Sequence, residues 1–433
     1  TIGAHLDKNG TGTDVDDAPS AYERAKSAKL KRRIALANAA AAEFYGRCLR
    51  LLPSAGVARS HLLSRKITPL LVRTFALGYA PDAYFGPGSA PMERGDADGS
   101  AVARLRELGF DDDEMIAAGL AVRTRTGRLM DRFRGRLMVP IFDGGGRVAG
   151  FGGRALEGVD PPPDPEDVRT AAPPAFVPAK YINSPESELF VKGKVLFRRP
   201  ALTDGWTDAV EAGDGVDGDG TNLQNDAPAV VVEGYFDVIA LASIGVTDAV
   251  ATMGTAISVE QLKMASEGKN RLVLCMDNDD AGRSAVERLC HSSVLRDVSV
   301  DSKVEILVAS LPSGIKDPGE FAERHPDPTL FRTEVLVAAR PWKEWYAEAA
   351  ARRYDPSVAS DGPGSLGSTC DRLAAFLHEC VPVEVERGVL AYASAGILAR
   401  NLLKRNGMEP EGENAEGAAA LRIRIESNIL DAA

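Results

Sequence analysis

Residues 273–285 read VLCMDNDDAGRSA, in which an apolar run typical of a buried strand ends abruptly in acidic residues. In a partly desolvated cleft, Asp277, Asp279 and Asp280 would repel one another unless a cation lay among them. A simpler interpretation is a solvated loop in which Asp280 caps a helix that begins at Ala281. The stretch thus predicts a strand, a loop and a helix, and the rest of the chain must decide what the acids do.

The segments around this stretch alternate between apolar strands and short helices. Strands are predicted at 229–233, 248–252, 271–277 and 303–309, and helices at 236–244, 258–267 and 281–293. Continuous apolar strands separated by helices indicate a parallel sheet covered on both faces. In such sheets, ligands bind outside the carboxyl ends of the strands.

Acidic residues occupy these predicted strand ends. Glu233 ends the first strand, Asp237 lies one helical turn beyond it, Asp277 and Asp279 follow the third strand, and Asp317 follows the fourth. Because parallel strands end at one edge of their sheet, the carboxylates are expected to gather there. Such oxygen ligands suit Mg²⁺, which keeps part of its water shell for phosphate oxygens.

The first part of the chain has a different pattern. Helices are predicted at 21–52, at 55–65 and at 68–76, the first of them ending at Pro53. Between 128 and 156, RLMVPIFD and RVAGFGGRAL flank the turn Gly144 to Gly146 and predict a β-hairpin. The hairpin glycines at 150, 152 and 153 allow two interpretations: close approach of a polyanion, or close packing of strands.

Length and composition limit the class of protein. With 433 residues and 44% hydrophobic residues, the chain is long enough for two or three domains. We find no apolar run near membrane-spanning length and no secretory leader, so no membrane partner and no secretion are expected. The five scattered cysteines argue for a reducing compartment and against structural zinc.

The net charge of −11 is unevenly distributed. Residues 203–226 hold seven acids and no Lys or Arg, and residues 157–178 hold five acids against one Arg. We interpret both segments as surface insertions, with an interaction tail as the alternative, and residues 1–20 as disordered. In contrast, the eight arginines between Arg123 and Arg154 predict a phosphate-binding surface or, equally, a solvated charged face.

Three segments together resemble a known domain. EGYFDVIALASIGVTDAVATMGTA (233–256), MDNDDAGRSA (276–285) and LPSGIKDPGEF (311–321) are similar to the Toprim domain of bacterial DnaG-type primases. The upstream motifs FALGYAP (75–81), DRFRGRLMVPIFDGGGRVAGFGGRAL (131–156) and KYINSPESELFVKGK (180–194) resemble the N-terminal subdomain of the same primase core. Toprim domains also occur in topoisomerases, RecR-like proteins and nucleases, which lack these flanking motifs.

The resemblance implies an α/β chain of several parts. The expected parts are an α+β basic subdomain at 21–202 with the insertion at 157–178, the acidic insertion at 203–227, a Toprim domain at 228–327 whose parallel sheet carries helices on both faces, and a helical bundle at 328–433. The zinc-binding module and the full helicase-binding domain of the family are absent from this sequence. The family's DPD element reads Asp317, Pro318, Gly319, and Glu320 is the candidate substitute for the missing acid.

The resemblance also implies residue roles. Glu233, Asp277 and Asp279 are the expected catalytic residues and hold Mg²⁺ or Mn²⁺ in a two-metal site, with Asp237, Asp317 and Glu320 as further metal ligands. NTP and nucleic-acid contacts are expected from Arg132, Arg134, Arg136, Arg154, Lys180, Asn183 and Lys192. For the first three arginines, a structural role at a strand edge is the alternative. Asn278 is expected to adopt a left-handed turn, and Cys275 to lie in the core.

The function implied is a DNA primase core, which makes short RNA primers from NTPs on single-stranded DNA. Its partners would be the template, NTPs, the RNA:DNA hybrid and, without an evident docking domain, a replicative helicase. The compartment would be the bacterial cytoplasm or an organelle. A Toprim nuclease, which would cleave nucleic acid without NTPs, and a non-catalytic DNA-binding Toprim protein are the alternatives.

Overall fold

The computed structural model describes residues 21–81, 100–125, 127–156, 179–198, 227–254, 256–355, 357, 362, 364–406, 408 and 415–433. The predicted disordered N-terminus at 1–20 and the insertion at 157–178 lie outside these residues. So does the acidic insertion at 203–227, except for its last residue.

The N-terminal part mixes helices with an antiparallel sheet. Its helices are α1 (Ala21–Leu51), α2 (Gly56–Ser64), α3 (Pro69–Thr74), α4 (Ala101–Glu107) and α5 (Asp112–Ala117). Its strands are β1 (Gly78–Ala80), β2 (Ala121–Arg123), β3 (Leu129–Asp131), β4 (Arg136–Phe142), β5 (Val148–Ala155) and β6 (Tyr181–Asn183). The sheet has the order β1-β4-β5-β6, α1 packs against it, and β2 pairs with β3 separately. The predicted end of α1 is confirmed, because Leu52 before Pro53 is extended.

The predicted hairpin is confirmed as β4 and β5. Its turn is held by Asp143, whose Oδ1 accepts hydrogen bonds from the amides of Gly145 (2.9 Å) and Arg147 (3.0 Å). Strand packing accounts for the glycines of β5: a Cβ added at Gly152 would lie 2.7 Å from the Tyr235 ring. A polyanion could not approach through those positions, because buried side chains already cover them.

The predicted parallel sheet is confirmed at the centre of the chain. Its strands are β7 (Phe197–Arg198), β8 (Ala229–Val232), β9 (Ala249–Ala251), β10 (Arg271–Leu274), β11 (Glu305–Val308) and β12 (Arg340–Pro341), in the order β12-β11-β10-β8-β9-β7. The inner four are parallel. The edge strands β7 and β12 pair antiparallel and were not predicted.

Helices cover both faces of this sheet, as predicted. They are α6 (Tyr235–Ser243), α7 (Val259–Ser266), α8 (Asp280–His291), α9 (Val294–Ser302) and α10 (Pro318–Arg324). Side chains of β8 alternate between two cores: Val230 and Val232 pack with α6 and α10, whereas Val231 packs with α7, α8 and α9. Cys275 is fully buried in the first core, as expected. Helix α9 was not predicted from the sequence.

The C-terminal part is helical, as predicted. It contains α11 (Pro328–Leu330), α12 (Trp342–Arg352), α13 (Leu366–Cys380), α14 (Glu384–Arg405) and α15 (Ala415–Ala432). Trp342, Trp345 and Tyr346 of α12 are buried in the core that also contains α8 and α9. In the part of the chain that the structure describes, no helix is both long and apolar enough to cross a membrane.

Candidate active site

The loops after β8, β10 and β11 meet at one edge of the parallel sheet. The first two are joined directly, because the Asp277 amide donates a hydrogen bond to Oε1 of Glu233 (3.3 Å). Burial raises the pKa of Glu233, and the charge of Asp279 raises it further. The structure therefore brings the acids that follow β8 and β10 into one electrostatic group.

Asp277 lies at the centre of this group. Its Oδ1 is buried and has no hydrogen-bond partner among the described residues. Burial raises the pKa of Asp277 to about 7, helped by the charges of Glu233, Asp317 and Asp279 and opposed by Lys316. A buried carboxylate oxygen without a donor is costly, so this atom is suited to accept a cation.

Asp237 is the most strongly perturbed acid of the group. Its Oδ2 accepts a hydrogen bond from the Gly234 amide and its Oδ1 accepts one from the Gly319 amide, each at 3.1 Å. Burial raises the pKa of Asp237 to about 8, and the charges of Asp317 and Asp277 add to that effect. Because both oxygens bind backbone amides, Asp237 ties the start of α6 to the start of α10.

Asp279 and Asp317 both cap helices. Oδ1 of Asp279 accepts from the Gly282 amide (2.8 Å) at the start of α8, and Oδ1 of Asp317 accepts from the Glu320 amide (2.7 Å) at the start of α10. The simpler interpretation from the sequence, in which Asp280 caps this helix, is therefore wrong by one residue. Each capping acid uses one oxygen for its helix, and the second oxygen of Asp317 lies 4.0 Å from Nζ of Lys316.

Asn278 does not adopt the left-handed conformation expected for it, since its φ is not positive. Its amide instead donates to the carbonyl of Lys316 (2.6 Å), and its Nδ2 donates to the carbonyl of Ile315 (3.1 Å). These bonds fix the loop after β10 to the loop before α10. Asn278 thus holds Asp277 and Asp317 near each other through the backbone.

Glu320 binds within its own segment. Its Oε2 accepts a hydrogen bond from the Lys316 amide (2.6 Å), and its Oε1 pairs with Arg324 (2.5 Å). Neither contact reaches the acids after β8 or β10. The residue proposed to replace the family's missing acid is therefore engaged at the margin of the group.

Two glycines that the sequence did not single out as functional allow this close packing. A Cβ on Gly282 would lie 2.2 Å from the carbonyl oxygen of Asp277 and 3.0 Å from Oε1 of Glu233. A Cβ on Gly319 would lie 2.8 Å from Oδ1 of Asp237. The position that carries an acid in the family motif here contributes its amide to Asp237. Both glycines directly follow the acids in the stretches DAG and DPG. Their role could be recognised only in the fold, because the atoms that they approach belong to other segments of the chain.

The donor set fits a hard divalent cation. It consists of carboxylate oxygens with raised pKa values around an unpartnered buried oxygen, which is the environment that a cation would stabilise. Among the described residues, no group of three or more His, Cys, Asp or Glu side chains is placed so that it could hold a metal ion. A Mg²⁺ ion bound here would take much of its coordination shell from water and phosphate.

The predicted basic residues occupy several environments. Arg136 is buried and donates to the carbonyls of Gly153 (3.1 Å) and Ala179 (3.0 Å), so its contacts are structural. Arg132 is half-buried and donates to the carbonyl of Asn183 (3.3 Å). Arg134 is half-buried and lies close enough to Asp131 to lower the pKa of that acid, which burial raises.

A second group of predicted residues lies around β6. Lys180 is exposed, with its ammonium 5.8 Å from the centre of the Tyr181 ring. Lys192 is half-buried, and its amide donates to Glu186 (3.3 Å). Asn183 binds protein atoms with both ends of its side chain: Tyr235 donates to its Oδ1 (3.0 Å), and its Nδ2 donates to the carbonyl of Met253 (3.3 Å).

Arg154 is also buried, and it contacts a residue that sequence reasoning missed. Its Nη1 lies 2.7 Å from Nε2 of His61 in α2. Burial lowers the pKa of His61 to about 4, and the positive charges of Arg154, Arg65 and Lys180 lower it further. An isolated histidine with no motif around it gave no signal in the sequence.

Comparisons with known families agree with this architecture. Residues 47–202 match the family model of the DNA primase catalytic core, N-terminal domain, and residues 230–322 match a Toprim-like model. Among curated relatives, the DNA primase of Synechococcus elongatus is 35% identical over 318 residues, 72% of this chain and 38% of that protein. The DNA primase of Pseudomonas aeruginosa is 34% identical over 79% of this chain and 43% of that protein. The chain thus spans less than half the length of these relatives.

Solved structures similar to this chain cover most of it. A DnaG primase catalytic domain bound to single-stranded DNA matches with a TM-score of 0.59 and 27% identity, covering 86% of this chain and 97% of that one. The RNA polymerase domain of Mycobacterium tuberculosis primase DnaG matches with a TM-score of 0.58 and 29% identity, covering 84% and 99%. A Pseudomonas aeruginosa DNA primase domain gives 0.58 and 28%, covering 91% and 99%.

Proposed function

Because this chain belongs to the DnaG-type primase family and spans that family's catalytic core, we propose that it synthesises short RNA primers on single-stranded DNA. In this reaction, a ribonucleotide 3′-hydroxyl attacks the α-phosphate of the next NTP and pyrophosphate leaves. The observation that carries the proposal is a buried Asp277 oxygen that has no hydrogen-bond partner among the described residues and lies among acids at the carboxyl ends of parallel strands. Catalysis of phosphoryl transfer is mainly positioning and charge neutralisation, which such a site can supply.

Primases of the Toprim type use divalent metal, and we propose that this chain uses Mg²⁺ or Mn²⁺ at two positions. Glu233, Asp277 and Asp279 would hold the ions, and Asp317 would complete the shell with its second oxygen. When bound, such ions neutralise charge on the phosphates and favour ionisation of the attacking hydroxyl. Asp237 would act mainly as a support, since both of its oxygens accept backbone amides.

The protonation of the protein's own acids would set the affinity of this site for divalent metal ions. The pKa values of Asp277 and Asp237 are raised to about 7 and about 8, so both carboxyls hold protons in part near neutral pH. A cation competes with the proton for the oxygens of Asp277 and lowers the pKa of the nearby Asp237 by its charge. Loading would therefore release protons and would become more favourable as the pH rises through this range.

The cationic residues would bind the substrates. Arg154 and Lys180 are proposed to contact phosphates of the NTP or the RNA:DNA hybrid, with Lys192 nearby in the segment before β7. Arg132 and Arg134 would line the template track, whereas Arg136 and Asn183 would act through the backbone and side chains that they hold. A related DnaG catalytic domain is known with bound single-stranded DNA, which supports a template role for this surface.

We propose a corresponding division of labour along the chain. Residues 21–202 would hold the nucleic acid and the nucleotide, and residues 228–327 would hold the metal ions. The helices of 328–433 would support α8, against which α12 packs. A replicative helicase is a further proposed partner, although the family's usual docking domain is not evident in this sequence.

Primer synthesis is tested with the purified chain, single-stranded DNA of varied sequence, labelled NTPs and Mg²⁺ or Mn²⁺. Short, metal-dependent RNA products are expected from the wild-type protein, and none from Glu233→Gln. Glu233→Gln keeps the size of the side chain and removes its charge. Cleavage of the DNA without NTPs, and no RNA, would favour a nuclease instead.

A further inference from the structure

Arg154 is a buried cation without a carboxylate partner among the described residues. Only 6% of its surface is exposed. Its Nε donates to the Tyr181 hydroxyl (3.2 Å), its Nη1 donates to His61, and its guanidinium lies 5.5 Å from the centre of the Phe236 ring. Burying a charge without an opposite charge is costly, and the aromatic ring offsets only part of that cost.

The contact with His61 has a defined direction. A guanidinium can only donate hydrogen bonds, so Nε2 of His61 must be the acceptor and the imidazole must be neutral. The positive surroundings agree with this state, because Arg154, Arg65 and Lys180 all oppose a charge on the ring. His61 itself is half-buried near the end of α2.

The neighbouring Arg65 provides a contrast. Its Nη1 lies 2.9 Å from Oε1 of Glu323, so its charge is compensated within the protein. A carboxylate at position 61 would orient Arg154 equally well, but it would cancel the charge of the guanidinium. The chain has a neutral acceptor there instead.

We propose that His61 is a positioning residue that fixes the guanidinium of Arg154 while leaving its full positive charge available for a phosphate oxygen. The inference rests on the proposed function, in which Arg154 faces the substrate. The phosphate belongs either to the triphosphate of an incoming nucleotide or to the backbone of the nucleic acid. In both cases the ligand chemistry is the same. Because no carboxylate of the protein pairs with Arg154 among the described residues, its guanidinium can form its ion pair with the substrate phosphate.

Two variants of equal size separate orientation from charge. His61→Gln supplies a neutral acceptor, and His61→Glu supplies a charged one. Binding is measured with fluorescein-labelled single-stranded DNA by anisotropy, and with a fluorescent GTP derivative in Mg²⁺ by titration. His61→Ala serves as the variant without any acceptor, and the melting temperature of each protein is recorded.

We expect His61→Gln to restore most of the binding that His61→Ala loses. His61→Glu is expected to weaken one of the two probes by about tenfold, which is the loss of one charge-assisted hydrogen bond. A loss confined to labelled GTP identifies the triphosphate as the ligand. A loss for DNA identifies the nucleic-acid backbone, and the slope of log affinity against log salt should then fall by about 0.7.

A double-variant measurement guards against unfolding or indirect effects. If His61→Glu acts by cancelling the charge of Arg154, then Arg154→Ala should cost little further binding in the Glu background, although it is costly in the wild type. The inference is overturned if His61→Glu binds both probes as the wild type does. It is also overturned if Gln and Glu variants of equal melting temperature lose binding equally, or if the two losses are additive.

The outcome is separable from primer synthesis. Wild-type primer synthesis together with normal binding by His61→Glu overturns this inference alone. A selective binding loss in His61→Glu, with no RNA made by the wild-type protein, supports the inference but refutes the proposal that the chain synthesises primers.

Discussion

The hydroxyl of Tyr235 in α6 donates a hydrogen bond to Oδ1 of Asn183 in β6, at 3.0 Å. The other end of Asn183 binds the carbonyl of Met253, whose own amide donates to the carbonyl of Glu233 (3.1 Å). Met253 has a φ of 63°, a left-handed conformation that costs roughly 1–2 kcal/mol for a non-glycine residue. Asn183 therefore fixes a strained turn beside Glu233 to the N-terminal part.

This relationship predicts coupling between Asn183 and Tyr235. Each of Asn183→Ala and Tyr235→Phe should reduce stability by about 1 kcal/mol and lower kcat for primer synthesis. The double variant should lose less than the sum, with an interaction energy above about 0.5 kcal/mol, in denaturant unfolding and in kinetics. Strict additivity, with an increase in the KM for NTP only in Asn183→Ala, would instead indicate a direct nucleotide contact.

Gly282 should not tolerate a side chain. Gly282→Ala places a Cβ against the carbonyl of Asp277, so we expect a loss of ~1–3 kcal/mol in the free energy of unfolding and weaker Mg²⁺ binding. Gly388→Ala is the matched control, because Gly388 also lies in a helix and has open space around its Cβ position. Alanine there should be neutral or stabilising by up to about 1 kcal/mol. Equal behaviour of the two variants would refute the steric argument.

Asp277→Asn should stabilise the metal-free protein at neutral pH. The pKa of Asp277 is about 7 in the fold and near 3.8 in an unfolded chain, so the folded state holds the proton more tightly. The stability of the wild type should therefore fall as the pH rises from about 4 to 7. Asp277→Asn should remove this pH-dependent loss of unfolding free energy, which is ~1–2 kcal/mol after allowance for solvent screening. The same substitution should abolish primer synthesis.

The control for this prediction is Asp280→Asn, which removes a neighbouring but exposed acid. Its unfolding free energy should follow the same pH dependence as the wild type. The wild type and both variants are compared by denaturant unfolding in the presence of EDTA between pH 4 and pH 8. A fall in stability with pH that is as steep in Asp277→Asn as in the wild type would show that the Asp277 carboxyl is not the group responsible.

Mg²⁺ binding should release protons. Since the raised pKa values of Asp277 and Asp237 are about 7 and about 8, affinity should increase between pH 6 and pH 8. Calorimetry in two buffers of different ionisation enthalpy would measure the released protons directly. Affinity that does not change across this range, with no proton release, would mean that the cation binds elsewhere.

Arg136 and Lys180 should differ in what they stabilise. Arg136→Met removes a buried donor to the carbonyls of Gly153 and Ala179, so we expect a loss of about 1–3 kcal/mol in stability. Lys180→Ala removes an exposed cation and should change stability by less than about 0.5 kcal/mol. It should instead weaken DNA binding and flatten its salt dependence. A loss of DNA binding without a loss of stability in Arg136→Met, and the opposite in Lys180→Ala, would show that Arg136 contacts DNA and that Lys180 is structural.

The parallel sheet could be predicted because its strands are continuous apolar runs with acids at their ends. The edge strands β7 and β12 are only two residues long, too short for any periodicity to be visible. The sequence also predicted that the acids after β8, β10 and β11 lie near one another, since parallel strands share one edge, but Glu320 binds within its own segment. It could not distinguish Asp279 from Asp280 as the helix cap, because adjacent aspartates are equivalent in sequence.

The cationic residues were harder to assign. Along RFRGR, nothing local separates Arg136, which is buried against carbonyls, from Arg134. His61 had no motif, and its contact with Arg154 depends on where α2 packs relative to β5. Such roles are set by long-range packing, which the spacing of residues in one segment does not contain.

The strands β7 and β8 belong to the same sheet and are separated in it only by β9. The chain between Arg198 and Ala229 therefore leaves and re-enters a rigid frame at fixed points. Both points lie at the edge of the sheet opposite to the strand ends that carry the acids. A tag or reporter domain inserted between them should therefore leave the chemistry at the acidic strand ends intact, and as a general rule doubling the length of a flexible loop costs only about 0.6 kcal/mol in closure entropy.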